Sequence, residues 1–480
     1  MQNTVPEKNA LAHQNRILKF RLTHQHLQIF LLALFIGILL SSLLPPLQSP
    51  DEPDHIKRAY LLSKGQVLLE SPKEKSSGGQ IDNGLLNYIE GMTRFTQDSA
   101  GRVEKQQMNE TSKEKWHKTT SFSPAPGTGY YFPFIYFPQA LGLAIGESLD
   151  LTINDSYRLA RLLSLAVSLA IIIIATMIFP TNFLTLGLLV LPVTVLQFVS
   201  ASLDGTTTAI AILCISLFMH AFDKHSRHAA WASWLLGISL LLLATSRAHL
   251  LPLVAMPLII FLVRKKRLDL ILFLCITLLS LAWSFLALQN TVDLRDMRPD
   301  RSYSTGQIIF HYLKDPLAFF HVLWSTLMDP NTRDFYQKTF IGAIGWMDPN
   351  LNKLDFVFGT WFYNFSILFC IAMAALSIQW KNFRLDWIPR ASLLLFSVIS
   401  TLMVFFLLLA TWTAHPATII TGVQGRYFLV PAVLLAYALS GSQGGMSPIR
   451  KVIGLPIFYL YSLVLCFILP AALIYRYFLQ

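Results

Sequence analysis

The chain has 480 residues, 54% of them hydrophobic and only 14% charged, with a mean hydropathy of +0.50; this composition excludes an ordinary soluble domain. Its net charge of +11 fits Lys and Arg held on cytoplasmic loops beside anionic headgroups. No basic and aromatic module stands apart from the apolar runs, which argues against a nucleic-acid partner.

Residues 1–26 form a basic cytoplasmic N-terminus carrying Lys8, Arg16, Lys19 and Arg21. The apolar run that follows is too long for a signal-peptide core and has no small-residue cleavage site, so it reads as an uncleaved anchor. Runs able to cross roughly 30 Å of hydrocarbon fall at about 27–45, 158–179, 183–200, 204–222, 229–246, 249–263, 268–289, 356–378, 389–411, 422–440 and 453–475. The fold class is all-α integral membrane, a bundle of about eleven transmembrane helices. One further run, YYFPFIYFPQALGLAIGESL at 130–149, holds two prolines and several tyrosines and reads as an interfacial or re-entrant helix. The positive-inside rule agrees. The basic N-terminus, DKHSRH (223–228), RKKR (264–267), KNFR (381–384) and IRK (449–451) share the cytoplasmic side only if 130–149 does not cross. The four cysteines (Cys214, Cys275, Cys370 and Cys466) are scattered through apolar runs, as expected of buried unreactive thiols rather than of a disulfide framework or zinc site.

Two long segments then face outward, 46–157 and 290–355. Within the first, 70–121 is rich in Lys, Glu, Ser and Gln and poor in apolar periodicity, which predicts a solvated or partly disordered insertion. The second carries IIFHYLKDPLAFFHVLWSTLM, whose amphipathic pattern predicts short helices on the membrane surface. Residues 356–480 supply the C-terminal transmembrane helices.

Polar residues gather at the outer helix ends. SPDEPDHIKRAYLLSKG (49–65) follows the first span, and Pro53, Gly65 and the apolar Ile56, Ala59, Tyr60 and Leu62 predict a short amphipathic helix along the outer leaflet. On it Asp54 and Arg58, four apart, are expected to pair. Asp51 and Glu52 precede the helix, where they either cap it or face a reaction centre. His55 is a surface residue or a ligand-binding one. Arg158 and Arg161 open the second span, as lipid anchors or phosphate ligands. Asp204 in SASLDGTTT caps the fourth span or joins the site, beside Arg247 and His249 in TSRAHL. Arg426 in GVQGRYF has no acidic neighbour in sequence, and an arginine inside a helix end in lipid costs about 2.5–3.5 kcal/mol unless a partner or ligand compensates.

SPDEPDHIKRAYLLSKGQ resembles the first outer loop of GT-C membrane glycosyltransferases, where a PDE-like motif precedes a juxtamembrane helix. The run before NDSYRLARLLSLAV, then SASLDG and ATSRAH, follows the order of that superfamily's seven-helix module, here 27–289. PDEPDH, SLDG, GWMDPNL (345–351) and GVQGRYFLVP together resemble a bacterial family of membrane proteins associated with surface-polysaccharide assembly. The long insertion departs from the superfamily pattern. The resemblance implies an inverting transferase in the bacterial cytoplasmic membrane with its site facing outward. Its donor is a sugar linked to polyprenyl phosphate, and its acceptor a glycan or lipid-linked molecule. Asp51 is the expected base, held by Glu52; Arg426 and Arg247 are expected to bind the lipid phosphate, with Arg158, Arg161, His55, Asp204 and His249 around them. Asp51, Glu52, Asp204 and His55 include hard ligands that could hold a divalent cation. Monophosphate-dependent members of the superfamily generally work without one, so no cofactor is expected. A lipid or oligosaccharide transporter is the rival reading; it predicts ionisable groups near the bilayer midplane on broken, repeated helices, whereas here they gather at one face.

Overall fold

The computed structural model describes residues 24–97, 105–222, 230–294, 303–342, 359–380, 386–441 and 448–479. The segments DKHSRH, KNFR and GWMDPNL lie outside these residues. Among the described residues six helices are long and apolar enough to cross a membrane: Ile153–Ile178, Asp204–Phe222, Arg267–Asn290, Thr360–Ser377, Trp387–Thr411 and Ile449–Ile474. Five apolar helices are shorter: Phe30–Leu43, Ala230–Ser246, Ala248–Arg264, Pro316–Met328 and Gly425–Ser440. The all-helical membrane class therefore stands. Asp204–Phe222 is the central post of the bundle, 94% buried over its apolar window, whereas Ile449–Ile474 is 22% buried and turns its apolar surface outward.

In chain order, α1 is His24–Leu43 and α2 is Glu52–Ser63. A two-stranded antiparallel sheet pairs β1 (Gly78–Asp82) with β2 (Thr120–Pro124), and the chain between them holds α3 (Asn83–Gln97) and α4 (Lys105–Thr111). Then come α5 (Phe137–Ser148), α6 (Ile153–Ile178), α7 (Phe183–Leu189), α8 (Pro192–Phe198), α9 (Asp204–Phe222), α10 (Ala230–Ser246), α11 (Met256–Arg264) and α12 (Arg267–Asn290). Three short helices follow, α13 (Thr305–Lys314), α14 (Pro316–Met328) and α15 (Pro330–Ile341). The chain closes with α16 (Thr360–Ser377), α17 (Trp387–Thr411), α18 (Leu429–Ser440) and α19 (Pro448–Ile474).

Three expectations need correction. The run 183–200 is not one continuous helix. Pro192 pushes Leu191 into an extended conformation (φ −62°, ψ 142°), and the chain splits into two seven-residue helices. Each is about 10 Å long, so the chain returns from the far end of α6 to Ala201 and Asp204, beside Glu52 and Asp51, as two successive pieces rather than one rod. The insertion 70–121 is folded over most of its length. Leu85, Tyr88, Ile89 and Met92 lie at helical spacing on α3 and are buried, a pattern hidden among flanking Lys, Glu and Gln. Asp82 locks the sheet to this helix, accepting from the amides of Gly84 (2.9 Å), His117 (3.1 Å) and Lys118 (2.8 Å). Gly84 is required there, since a Cβ would lie 2.0 Å from the Lys115 carbonyl oxygen. Tyr88 then donates to Asn154 at 3.0 Å, docking the insertion on the start of α6.

The third correction concerns α2. It spans the expected residues, with Gly65 at φ +81° just past its end. It is embedded, however, with Ile56, Ala59, Tyr60 and Leu61 all at most 2% exposed. Arg58 turns into the core and donates to the Val67 carbonyl at 2.6 Å, and Asp54 pairs with Lys57 (3.4 Å) instead. The run 130–149 forms a 3-10 turn at Pro133–Tyr136 and the twelve-residue α5, about 18 Å long and too short to cross.

Candidate functional site

Four elements bring charged residues to one end of the bundle. Asp51 follows α1; Asp204 is the first residue of α9; Arg247 follows the last residue of α10, which runs back beside α9; and Arg426 lies in the 3-10 turn Gly425–Phe428 that opens α18. Arg426 donates to Asp204 Oδ2 through Nη1 (3.3 Å) and to Asp51 Oδ2 through Nη2 (3.4 Å). Arg247 donates to the other oxygen of Asp204. The result is a chain of alternating charge, Asp51–Arg426–Asp204–Arg247, assembled from residues 375 positions apart at its extremes.

Asp51 sits at the N-cap position of α2, but its side chain makes no capping bond. Its backbone is in the left-handed region (φ 60°, ψ 7°), which Asp and Asn tolerate better than other non-glycine residues. The carboxylate is thereby turned towards Arg426 and remains 60% exposed. Helix capping, the simpler account of this residue, is not what the geometry shows.

Glu52, the next residue, is completely buried. It accepts from the Tyr157 hydroxyl (2.6 Å), from the amides of Ala201 (2.6 Å) and Ser49 (3.0 Å), and from Arg161 (3.4 Å to each oxygen). Arg161 also donates to the carbonyls of Ser41, Leu44 and Pro45, the unsatisfied acceptors at the end of α1, and stacks on Tyr157. These bonds tie α1, α6 and the 201 loop into one clamp that fixes the backbone just ahead of Asp51. Arg161 has no free face for a ligand. Arg158 is exposed on α6 and is not brought to the charge chain. His249 is half-buried, two residues from Arg247.

His55 is buried one helical turn from Asp51, with Nδ1 2.7 Å from the Tyr136 hydroxyl. Burial holds its pKa down to about 3; Asp51 works in the opposite direction, while Arg247 and Arg426 add to the depression. Arg247 lies over the Tyr131 ring (5.4 Å) and Arg426 over Tyr427 (5.3 Å). Sequence reasoning missed these tyrosines. The run containing Tyr131 and Tyr136 was legible as interfacial, but nothing in its spacing marks which rings face the charges.

Beside this chain of charges lies a small pocket, open on one side. Its walls are Leu44, Pro50, Val193 and Leu196, with Gln48, Ser49, Gln197, Thr339 and Gln424 supplying polar groups and Arg426 the one charge. The split of the 183–200 run contributes directly, since α8 presents three of these residues. Arg426 Nε and Gln424 Oε1 are buried without a hydrogen-bond partner among the described residues, an arrangement that is costly unless a ligand or water completes it. Among the described residues no three of His, Cys, Asp and Glu gather as a metal-ligand group.

A family model described as a predicted membrane protein, DUF2142, matches residues 34–435 and so covers the whole charge chain. No curated protein matches the sequence significantly. Among solved structures, the chain is similar to the crystal structure of ArnT from Cupriavidus metallidurans bound to undecaprenyl phosphate. The identity is 13% over 86% of this chain and 77% of that one, with a TM-score of 0.33.

Proposed function

The chain belongs to the DUF2142 family of predicted membrane proteins, and on that premise we propose that it is a glycosyltransferase of GT-C type. It moves a sugar from a polyprenyl-phosphate donor to a glycan or lipid-linked acceptor, on the outer face of a bacterial cytoplasmic membrane. The observation that carries this reading is Arg426. It joins two carboxylates on one side and lines an apolar-walled cavity on the other, with one N–H left unpaired. A lipid phosphate needs that combination of hydrocarbon wall and guanidinium, and the planar fork of arginine can contact two phosphoryl oxygens.

In this reading Asp51 takes the proton of the acceptor hydroxyl as the hydroxyl attacks the anomeric carbon, and the bond to the phosphate oxygen breaks. Its exposure leaves it open to an incoming acceptor. Arg426, with Arg247 behind Asp204, stabilises the negative charge that collects on the departing phosphate. Glu52 and Arg161 hold the framework rather than touch substrate. No divalent metal is assigned a role.

The test is chemical. Lipid extracts from a strain lacking the protein should accumulate a polyprenyl-phosphate sugar, and purified protein should consume that lipid when given acceptor. A strain whose polyprenyl-phosphate sugars are unchanged, together with purified protein that moves lipid between leaflets without consuming it, would favour transport instead.

A further inference from the structure

Buried carboxamides in this protein are bonded as a rule. Asn154 accepts from the Tyr88 hydroxyl (3.0 Å) and Asn182 from the Thr185 amide (2.9 Å). Gln139 donates to Ser164 (3.1 Å) and to the Ser202 carbonyl (2.9 Å), and Gln48 donates to the Pro46 carbonyl (3.2 Å) and accepts from Tyr477 (3.4 Å). Gln197 and Gln424 break the rule, and both line the pocket beside Arg426. Gln197 is only 6% exposed; it shares one face of α8 with Val193 and Leu196, at helical spacing along the pocket wall. Gln424 directly precedes the turn that carries Arg426, and its Oε1 is sealed from solvent. Neither carboxamide has a hydrogen-bond partner among the described residues. The buried Ser49 hydroxyl, on the wall of the same pocket, is likewise unbonded among them.

The chemistry of these groups says what completes them. A carboxamide has a carbonyl that accepts and an NH2 that donates. A phosphate only accepts, so it could meet the NH2 ends and would leave both carbonyl oxygens unmet. A hydroxyl donates and accepts, and meets either end whichever way the amide is turned. A site built around such groups rejects a ligand that lacks the matching hydroxyl, because its own polar atoms are then left unpaired. Arg426 lines the same pocket, which puts the matching hydroxyls within one sugar ring of the phosphate that Arg426 would hold. We propose that Gln197 and Gln424 are the specificity-determining residues for the donor, hydrogen-bonding the hydroxyl-bearing edge of the transferred sugar with Ser49 beside them. Arg426 and Asp51 act at the bond that breaks, and the two glutamines select the sugar on the far side of it. The inference rests on the function proposed above and assigns the part of the pocket that a phosphate cannot satisfy.

The test separates sugar from phosphate. Full-length protein in nanodiscs is given bare polyprenyl phosphate, or polyprenyl phosphate bearing glucose, galactose, mannose or N-acetylglucosamine, and each affinity is measured. Wild type should bind at least one of the glycosylated lipids about 10-fold tighter than the bare one. Gln197→Leu and Gln424→Leu, similar in size and without polar side-chain atoms, should each bring that ratio close to one. Without lipid both variants should melt no lower than wild type, because an unpaired carboxamide contributes nothing to the empty fold. A ratio unchanged in either variant overturns the assignment. So does a melt well below wild type, which would make the glutamine structural, and so does an equal fall in affinity for bare and glycosylated lipid, which would make it a phosphate ligand. Wild type that binds the bare lipid and gains nothing from any sugar overturns the assignment while leaving the glycosyltransferase reading in place. Wild type that binds none of the lipids overturns both.

Discussion

Asp51 and Glu52 are neighbours in one motif and end in opposite surroundings. Glu52 is sealed, with four donor groups converging on its two oxygens, whereas Asp51 leaves its carboxylate 60% exposed with one contact to an arginine at 3.4 Å. Their arginine partners differ likewise. Arg161 is saturated by Glu52 and three backbone carbonyls, while Arg426 keeps an unpaired N–H beside an open cavity. A saturated pair can only hold the fold. An unsaturated one has capacity for a ligand, and the contrast separates a sealed clamp from an open charge within two residues of sequence.

The contrast breaks most visibly at Arg161. Arg161→Met would leave Glu52 charged and buried without its cation, and breaking a buried pair in this way costs about 3–5 kcal/mol. Thermal melts in detergent should show a large fall in Tm, or the variant should fail to accumulate. Wild-type melting would place Arg161 on the chemical side of the divide. The paired change Glu52→Gln with Arg161→Met should recover part of the loss, because no lone charge remains.

Asp51→Asn should do the opposite. Asparagine tolerates the left-handed backbone at this position and matches the shape of aspartate, so the melt should stay close to wild type. Turnover should fall by about 10² or more, the range for losing a general base. Turnover within a few-fold of wild type would move the base to Asp204.

Arg426 sharpens the comparison through geometry rather than charge. Arg426→Lys keeps the cation but loses the fork that reaches Asp51 and Asp204 together. Polyprenyl phosphate affinity should drop even in that variant, and by roughly 10- to 100-fold in Arg426→Ala, as expected for a charge-assisted bond of about 1.5–3 kcal/mol. Unchanged affinity in both would make Arg426 a second framework residue.

Much of this division lay beyond the reach of sequence, for identifiable reasons. The membrane class and most helix positions followed from run length, because the thickness of hydrocarbon sets how many apolar residues are needed. The break within 183–200 was missed because apolar content hid the effect of Pro192 on Leu191. The insertion 70–121 failed because four buried residues on α3 are outnumbered by charged neighbours. The charged residues stood out in the sequence because polar groups at one end of a membrane bundle are costly, and the structure joins Asp51, Arg426, Asp204 and Arg247 while leaving Arg158 exposed elsewhere. Their sorting was not legible. Asp54 and Arg58 have ideal helical spacing for a pair, yet Arg58 is spent in the core. Asp51 and Glu52 are adjacent, so no periodicity distinguishes them; only the fold, by placing Tyr157, Ala201 and Arg161 around one of them, does.

The smallest expected effect concerns pH and lies on the boundary between the two regions, at His55. Its pKa is about 3 in the folded protein against 6.5 in the unfolded chain, chiefly because burial penalises the charged imidazole. Between those values the unfolded chain binds a proton that the folded one does not, so stability rises with pH there. The contribution is therefore fully present above pH 6.5 and declines as pH falls below it. At pH 5.5, one unit below the unfolded value, the loss from this one group is about 1.4 kcal/mol at most. His55→Gln cannot titrate, so its thermal stability should depend less on pH between 5 and 6.5 than that of wild type, while the two slopes should coincide above pH 7. Parallel slopes below pH 6.5 would mean that His55 already takes up its proton in the folded state, and it would then belong with the open, ligand-facing charges rather than with the buried frame.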